Sequence, residues 1–158
     1  MDEQKIDKLG NLPPKVGSLE EHPNFAMFTS EELKIFSDHC REKNLAKDEY
    51  LFNEGDSGIS MFIVKKGAVN ILKVGYLGET VIAQVNPGEF VGEMAVVDGS
   101  PRSAAVKAAS DTELLELPTE KFNLLKKDHP HIAIKIMDLL LRLISTRLRS
   151  TTLKLMKK

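Results

Sequence analysis

Apolar positions change their spacing twice along the chain. Phe25 and Phe28 precede Thr29-Ser30-Glu31-Glu32, after which Leu33, Phe36 and Cys40 fall on one helical face, with Ile35 off it. The Thr29 hydroxyl can accept from the Glu32 N–H while Glu32 reaches back, a capping box, so a helix is expected from about Ser30 to Arg41. From Asn44 to Leu117 the pattern becomes that of short strands: Tyr50–Phe52, Met61–Val64, Ala68–Val74, Thr80–Val85, Ala104–Ala108 and Glu113–Leu117, separated by glycine-containing breaks. Strands this short and evenly spaced predict an antiparallel sandwich, jelly roll or β-roll. Helical spacing returns at Thr119, whose hydroxyl is placed to cap a helix carrying Phe122, Leu124 and Leu125. His129-Pro130 interrupts it, and a longer helix without Gly or Pro follows from about His131 to Leu153 or beyond.

That last helix carries two neighbouring apolar rows. Ile136, Leu140 and Leu143 form one; Met137, Leu141, Ile144 and Leu148 form the other, and Leu139 widens the surface. One face then covers the β-roll and the other meets a twin helix or a partner protein, unless both belong to a single broad core contact. Residues 1–24 are polar and broken by Gly10, Pro13, Pro14 and Gly17, so they read as an arm with a short helical start at Asp2 to Leu9. The domain proper is expected over 25–158, with the roll at about 44–118 and the C-terminal helices at about 119–156.

Composition narrows the function classes. The 158 residues are 42% apolar and 28% charged, which suits one packed domain. A net charge of −1 gives no ground for coating nucleic acid or membrane. The basic residues Arg142, Arg147, Arg149, Lys154, Lys157 and Lys158 read as complements to the helix dipole. The most apolar stretch, Ile132 to Ile144, is broken by Lys135, Asp138 and Arg142, so no membrane span is expected. The N-terminus has no apolar signal region, and the single Cys40 fits a reducing compartment; a cytoplasmic protein is expected. His22, His39, His129 and His131 all lie outside the predicted strands, which weakens a cupin-like metalloenzyme. No nucleophile–base grouping stands out, so the expectation is a non-enzyme without cofactor. The chain leaves no room for a helix-turn-helix domain after the long helix, so output is expected through a partner, a dimer change or an N-terminal contact.

The most unusual segment runs from Gly92 to Val106. Gly92 permits a tight turn and a close ligand approach. Glu93-Met94-Ala95 can form a helical turn whose first N–H groups favour an anion. Arg102, nine residues after Glu93, can bond two phosphate oxygens at once, whereas an ionised Glu93 only accepts and so suits sugar hydroxyls. Taken singly, Glu93 reads as a dipole partner and Arg102 as a rim charge; their ordered combination points to a site.

Phe90-Val91-Gly92-Glu93-Met94-Ala95-Val96 and Pro101-Arg102-Ser103-Ala104-Ala105-Val106 resemble the phosphate-binding cassette of cyclic-nucleotide-binding domains. Leu51–Asp56 and Met61–Val69 are similar to the turn and hairpin that precede it, and the likeness covers about Phe25 to Leu148. The resemblance implies an α+β fold: a jelly-roll-like antiparallel β-roll with an N-terminal helix and two C-terminal helices. It implies that Arg102 pairs with the cyclic phosphate, that Glu93 accepts from the ribose 2′-hydroxyl, and that backbone N–H groups of Gly92, Ala95 and Ser103 complete the cradle, with Met94 and Ala104 beside them. Val69, Ile82 and Val85 align loosely with base-facing positions, where ordinary core is the stronger reading. Ser103 beside the arginine occurs with both nucleotides in the family; cAMP is expected over cGMP. In the family the terminal helix moves when ligand binds. A ligand-free interaction module on the same fold is the alternative.

Overall fold

The computed structural model describes residues 17–156. Two short 3-10 turns, Gly17–Glu21 and Pro23–Phe25, lead into α1 (Ser30–Asp38). Eight strands follow: β1 (Arg41–Leu45), β2 (Tyr50–Phe52), β3 (Ser60–Lys66), β4 (Val69–Gly75), β5 (Gly78–Val85), β6 (Phe90–Val91), β7 (Ala105–Ala108) and β8 (Thr112–Pro118). Helix α2 (Glu93–Asp98) lies between β6 and β7; α3 (Thr119–Asp128) and α4 (Pro130–Met156) close the chain. The strands form two antiparallel four-stranded sheets, β1-β8-β3-β6 and β2-β7-β4-β5, the β-roll expected from the sequence.

Alternation along β3 builds two cores at once, because successive side chains leave opposite faces of a strand. Met61 and Ile63 pack under the helices with Phe25, Phe36, Phe122 and Ile136. Phe62 and Val64 point into the roll with Val69, Val85, Val106 and Leu114. The run of apolar residues in β3 is therefore a strand buried on both faces.

The capping box at Thr29 forms as expected: Glu32 N–H donates to Thr29 Oγ1 at 3.1 Å and Thr29 N–H to Glu32 Oε1 at 2.9 Å. Other boundaries differ. Helix α1 stops at Asp38, and the chain enters β1 at Arg41; this strand escaped notice because four of its five residues are exposed at a sheet edge and only Leu45 is buried. Thr119 does not cap α3. Pro118 takes that position, and Thr119 is already helical with its N–H given to Ile59 O at 2.8 Å. Leu19 and Phe25 are buried, so residues 17–24 of the expected arm fold onto the domain; the helical start at Asp2 to Leu9 lies outside the described residues.

The two rows on α4 separate physically. Ile132, Ala133, Ile136, Leu139 and Leu140 are buried and Leu143 packs against them, while Met137, Leu141, Ile144 and Leu148 are exposed. From Leu141 onward the helix stands largely clear of the roll.

Candidate functional site

The site grows from the break between β6 and α2. Gly92 takes a left-handed backbone, φ 77°, to turn the chain from strand into helix. The backbone angle favours glycine, and a Cβ there would stand 2.6 Å from Arg102 Nη1 and so displace the guanidinium. Gly99, also left-handed, ends α2. The chain then passes the β2–β3 turn, where Arg102 N–H donates to Asp56 O at 2.9 Å and Gly55 N–H to Arg102 O at 2.8 Å. These two backbone bonds fix where the Arg102 side chain starts.

Arg102 is only 7% exposed. Nη1 donates to Gly92 O at 2.9 Å and Nη2 to Ser60 O at 2.7 Å, and the guanidinium lies 4.1 Å from the centre of the Phe52 ring. Its Nε is buried with no partner. No carboxylate among the described residues forms an ion pair with it. Burial pushes its pKa down; the more distant charges of Asp56, Glu116 and Glu93 pull the other way. A buried cation without a counter-ion is costly.

Glu93 opens α2 and is 6% exposed. Its Oε1 accepts from Arg147 Nη1 at 3.1 Å, and Arg147 Nη2 donates to Phe90 O at 2.9 Å. No donor among the described residues bonds its Oε2.

Gly92, Glu93, Met94, Ala95, Arg102, Ser103 and Ala104 all border one cavity of about 70 Å³. Its apolar wall is Phe52, Ile71, Val91 and Val106. Val69, Ile82 and Val85 do not reach it. Val69 and Val85 are fully buried in the roll core, and Ile82 is 48% exposed. Between Ile71 and Leu72 the β4–β5 register slips: Ile71 faces Ala83 and Leu72 faces Val81, leaving Ile82 as an unpaired bulge residue. Ile71, two residues along the same strand face from Val69 and cross-strand from Val106, lines the cavity in their place.

Sequence reasoning missed Phe52, Ile71 and above all Arg147. For Arg147 a signal existed. It continues the buried row Ile136, Leu140, Leu143 by one turn, so a cation stands where that row would carry an apolar side chain. Its bonds to Glu93 and Phe90 supersede the reading of it as a dipole complement alone. Among the described residues no group of His, Cys, Asp and Glu is placed to hold a metal ion, and no helix is long and apolar enough to cross a membrane.

A β-roll with a glycine-opened helix, a buried glutamate and an unpaired buried arginine defines a domain built to hold a small anionic ligand. Residues 42–129 match the family model for the cyclic nucleotide-binding domain, and the chain belongs to that family. It is 33% identical over 135 residues to the "Cyclic AMP receptor protein" of Thermus thermophilus, covering 84% of this chain and 60% of that one. It is 35% identical over 105 residues to "Lysophospholipase NTE1" of Chaetomium globosum, covering 65% of this chain and 6% of that protein. The chain thus spans only part of these curated relatives. Among solved structures, a cyclic nucleotide-binding domain from Methylobacillus flagellatus superposes with a TM-score of 0.79 at 27% identity, covering 96% of this chain and 85% of that one.

Proposed function

We propose that the chain is a non-enzymatic, cytoplasmic sensor of a cyclic mononucleotide, cAMP over cGMP, that signals through helix α4. The observation that carries this is Arg102: a buried guanidinium with an unpartnered Nε, facing Glu93 across one cavity. The cyclic phosphate supplies the missing counter-ion. Charge-assisted hydrogen bonds to it are about twice as strong as neutral ones. A ribose hydroxyl donates to the free Oε2 of Glu93, because an ionised carboxylate only accepts. Phe52, Ile71 and Val106 offer the apolar wall for the rest of the ligand. The name of the Thermus relative supports cAMP.

Helix movement follows from size and from Arg147. Ligand pockets for small molecules occupy roughly 300–1,000 Å³, so a cavity of about 70 Å³ supports an opening on binding. Arg147 lines that cavity and ties α4 to both Glu93 and Phe90. A ligand hydroxyl arriving at Glu93 alters this tie, and the distal half of α4 carries the change to a second copy or a partner protein.

Titration calorimetry and thermal unfolding with cAMP, cGMP and a cyclic dinucleotide test this reading. A ligand at about 100 times its Kd stabilises the native state by roughly 2.7 kcal/mol, a clear rise in melting temperature. cAMP should give the largest rise. A larger rise with cGMP would overturn the preference, and no rise with any of the three would leave an interaction module without ligand.

A further inference from the structure

A chain of polar contacts stands behind the Arg102 guanidinium and leads out to the surface. Arg102 Nη2 donates to Ser60 O at 2.7 Å. Ser60 is only 1% exposed, and its hydroxyl donates to Glu116 Oε2 at 2.7 Å. The same Glu116 oxygen pairs with Arg41 Nη2 at 3.1 Å; Arg41 keeps 62% of its side chain in solvent and Glu116 only 17%. Glu116 follows Leu114 on the face of β8 that lines the roll core, and it lies opposite Phe62. A carboxylate in such a place is costly unless it is paired and hydrogen-bonded. Arg41 and Ser60 meet both needs.

The end of a strand pairing explains why Ser60 needs this contact. Phe62 pairs with Val91, the last residue of β6. Ser60 comes two residues before Phe62 and so lies past the end of β6, where Arg102 Nη2 takes up its carbonyl in place of a ladder donor. On that side the sheet does not fix Ser60; its hydroxyl bond to Glu116 does. Of the two carbonyls that hold the guanidinium, Gly92 O belongs to the cassette turn and Ser60 O depends on the Glu116 contact. We infer that Glu116 is a positioning residue for the ligand's phosphate: through the Ser60 hydroxyl it fixes the carbonyl that aims Arg102. Arg41 answers the Glu116 charge, so a carboxylate stands near an anion site with less repulsion. This role presupposes the sensor reading of the Arg102 site.

Titration calorimetry with cAMP and its Sp and Rp phosphorothioates tests the role. Ser60→Ala removes the hydroxyl bond and leaves the carbonyl and every charge in place. It should weaken cAMP binding by about three- to tenfold, the effect of one ordinary hydrogen bond. Glu116→Ala should behave as Ser60→Ala does, and Glu116→Gln, which keeps an acceptor for the hydroxyl, should recover most of the lost affinity. Each phosphorothioate carries sulfur at one of the two exocyclic oxygens, so the ratio of their affinities reads how the guanidinium meets the phosphate. That ratio should shift by about threefold or more in Ser60→Ala. It should stay put in Ile71→Ala, which trims the apolar wall and weakens both alike. In the ligand-free chain, the Arg102 Nε–H resonance should move in Ser60→Ala and not in Ile71→Ala. Native affinity in Ser60→Ala, an unshifted ratio, an unmoved resonance, or a Glu116→Gln as weak as Glu116→Ala each overturns the inference while cAMP still binds the native chain. No binding to the native chain sinks the sensor reading, and this role with it.

Discussion

Two arginines flank Glu93, and they are held in opposite ways. Arg102 sits on a loop pinned to the β2–β3 turn, is buried, and has carbonyls but no carboxylate for company. Arg147 sits on a helix that has left the domain body, keeps 30% of its side chain in solvent, and is paired with Glu93 itself. The first is held by backbone bonds on both sides and has no ion-pair partner among the described residues. The second is a finished contact on a projecting helix: its charge is answered, and the contact ties α4 to Glu93 and Phe90. In the proposed sensor the first arginine binds and the second reports, and the difference between them sets how mutations should act.

The sharpest separation comes from Arg102→Ala. Hydrogen bonds to a charged group contribute about 1.5–3 kcal/mol each; losing two should weaken cyclic nucleotide binding on the order of 100- to 10,000-fold. The ligand-free variant should still fold, because the substitution also removes an unpaired buried cation. Calorimetry giving near-native affinity would remove Arg102 from the site. Glu93→Ala ranks next, at about 10- to 100-fold weaker binding for one charge-assisted bond. It should also release Arg147, so that amide exchange across residues 141–156 speeds up, which Arg102→Ala should not do. Equal exchange in the two variants would erase the proposed distinction between the arginines.

The same contrast explains what the sequence made legible. The cassette is local: Gly92, Glu93, Ala95, Arg102 and Ser103 lie within twelve residues, and their chemistry reads from type and order. The apolar wall is not local. Phe52, Ile71 and Val106 meet only because β2 and β4 both pair with β7, and a one-residue bulge then decides that Ile82 faces solvent. Pattern alone placed six of the eight strands, missing β1 and the two-residue β6, and could not place the bulge, because a one-residue slip moves a side chain to the other face. Strand β1 was hidden for a different reason: an edge strand that buries one side chain in five has no alternation to see. Arg147 is marked by its place in the buried row, but it reaches its partner across 54 residues, so nothing local names Glu93.

Arg147→Ala tests the finished contact by itself. A partly exposed ion pair is worth about 0–1 kcal/mol, so binding affinity should change by less than about tenfold. Hydrogen exchange over 141–156 should rise nearly as much as in Glu93→Ala, and the ligand should no longer alter it. A loss of affinity matching that of Arg102→Ala would mean that Arg147 holds ligand rather than the helix.

The smallest effect concerns the anchored half of α4, where pH acts instead of ligand. Lys135 Nζ donates to Glu32 Oε1 at 2.6 Å and to Met27 O at 2.8 Å, tying α4 to the start of α1. The bond from Lys135, then the Thr29 N–H, hold the Glu32 pKa below its ordinary value of 4.5. A carboxylate with a depressed folded-state pKa stabilises the fold above the unfolded value, and that stability is lost as pH falls through the folded one. Glu32→Gln should therefore lower the melting temperature at pH 7 by a few degrees at most, and the gap to the native chain should close as pH drops below about 4.5. Cyclic nucleotide affinity at pH 7 should stay unchanged, because Glu32 grips the half of α4 that the Arg147 contact does not control. A loss of affinity in this variant would show that the two halves of the helix move as one body, and that the anchor, as much as the latch at Glu93, sets the response.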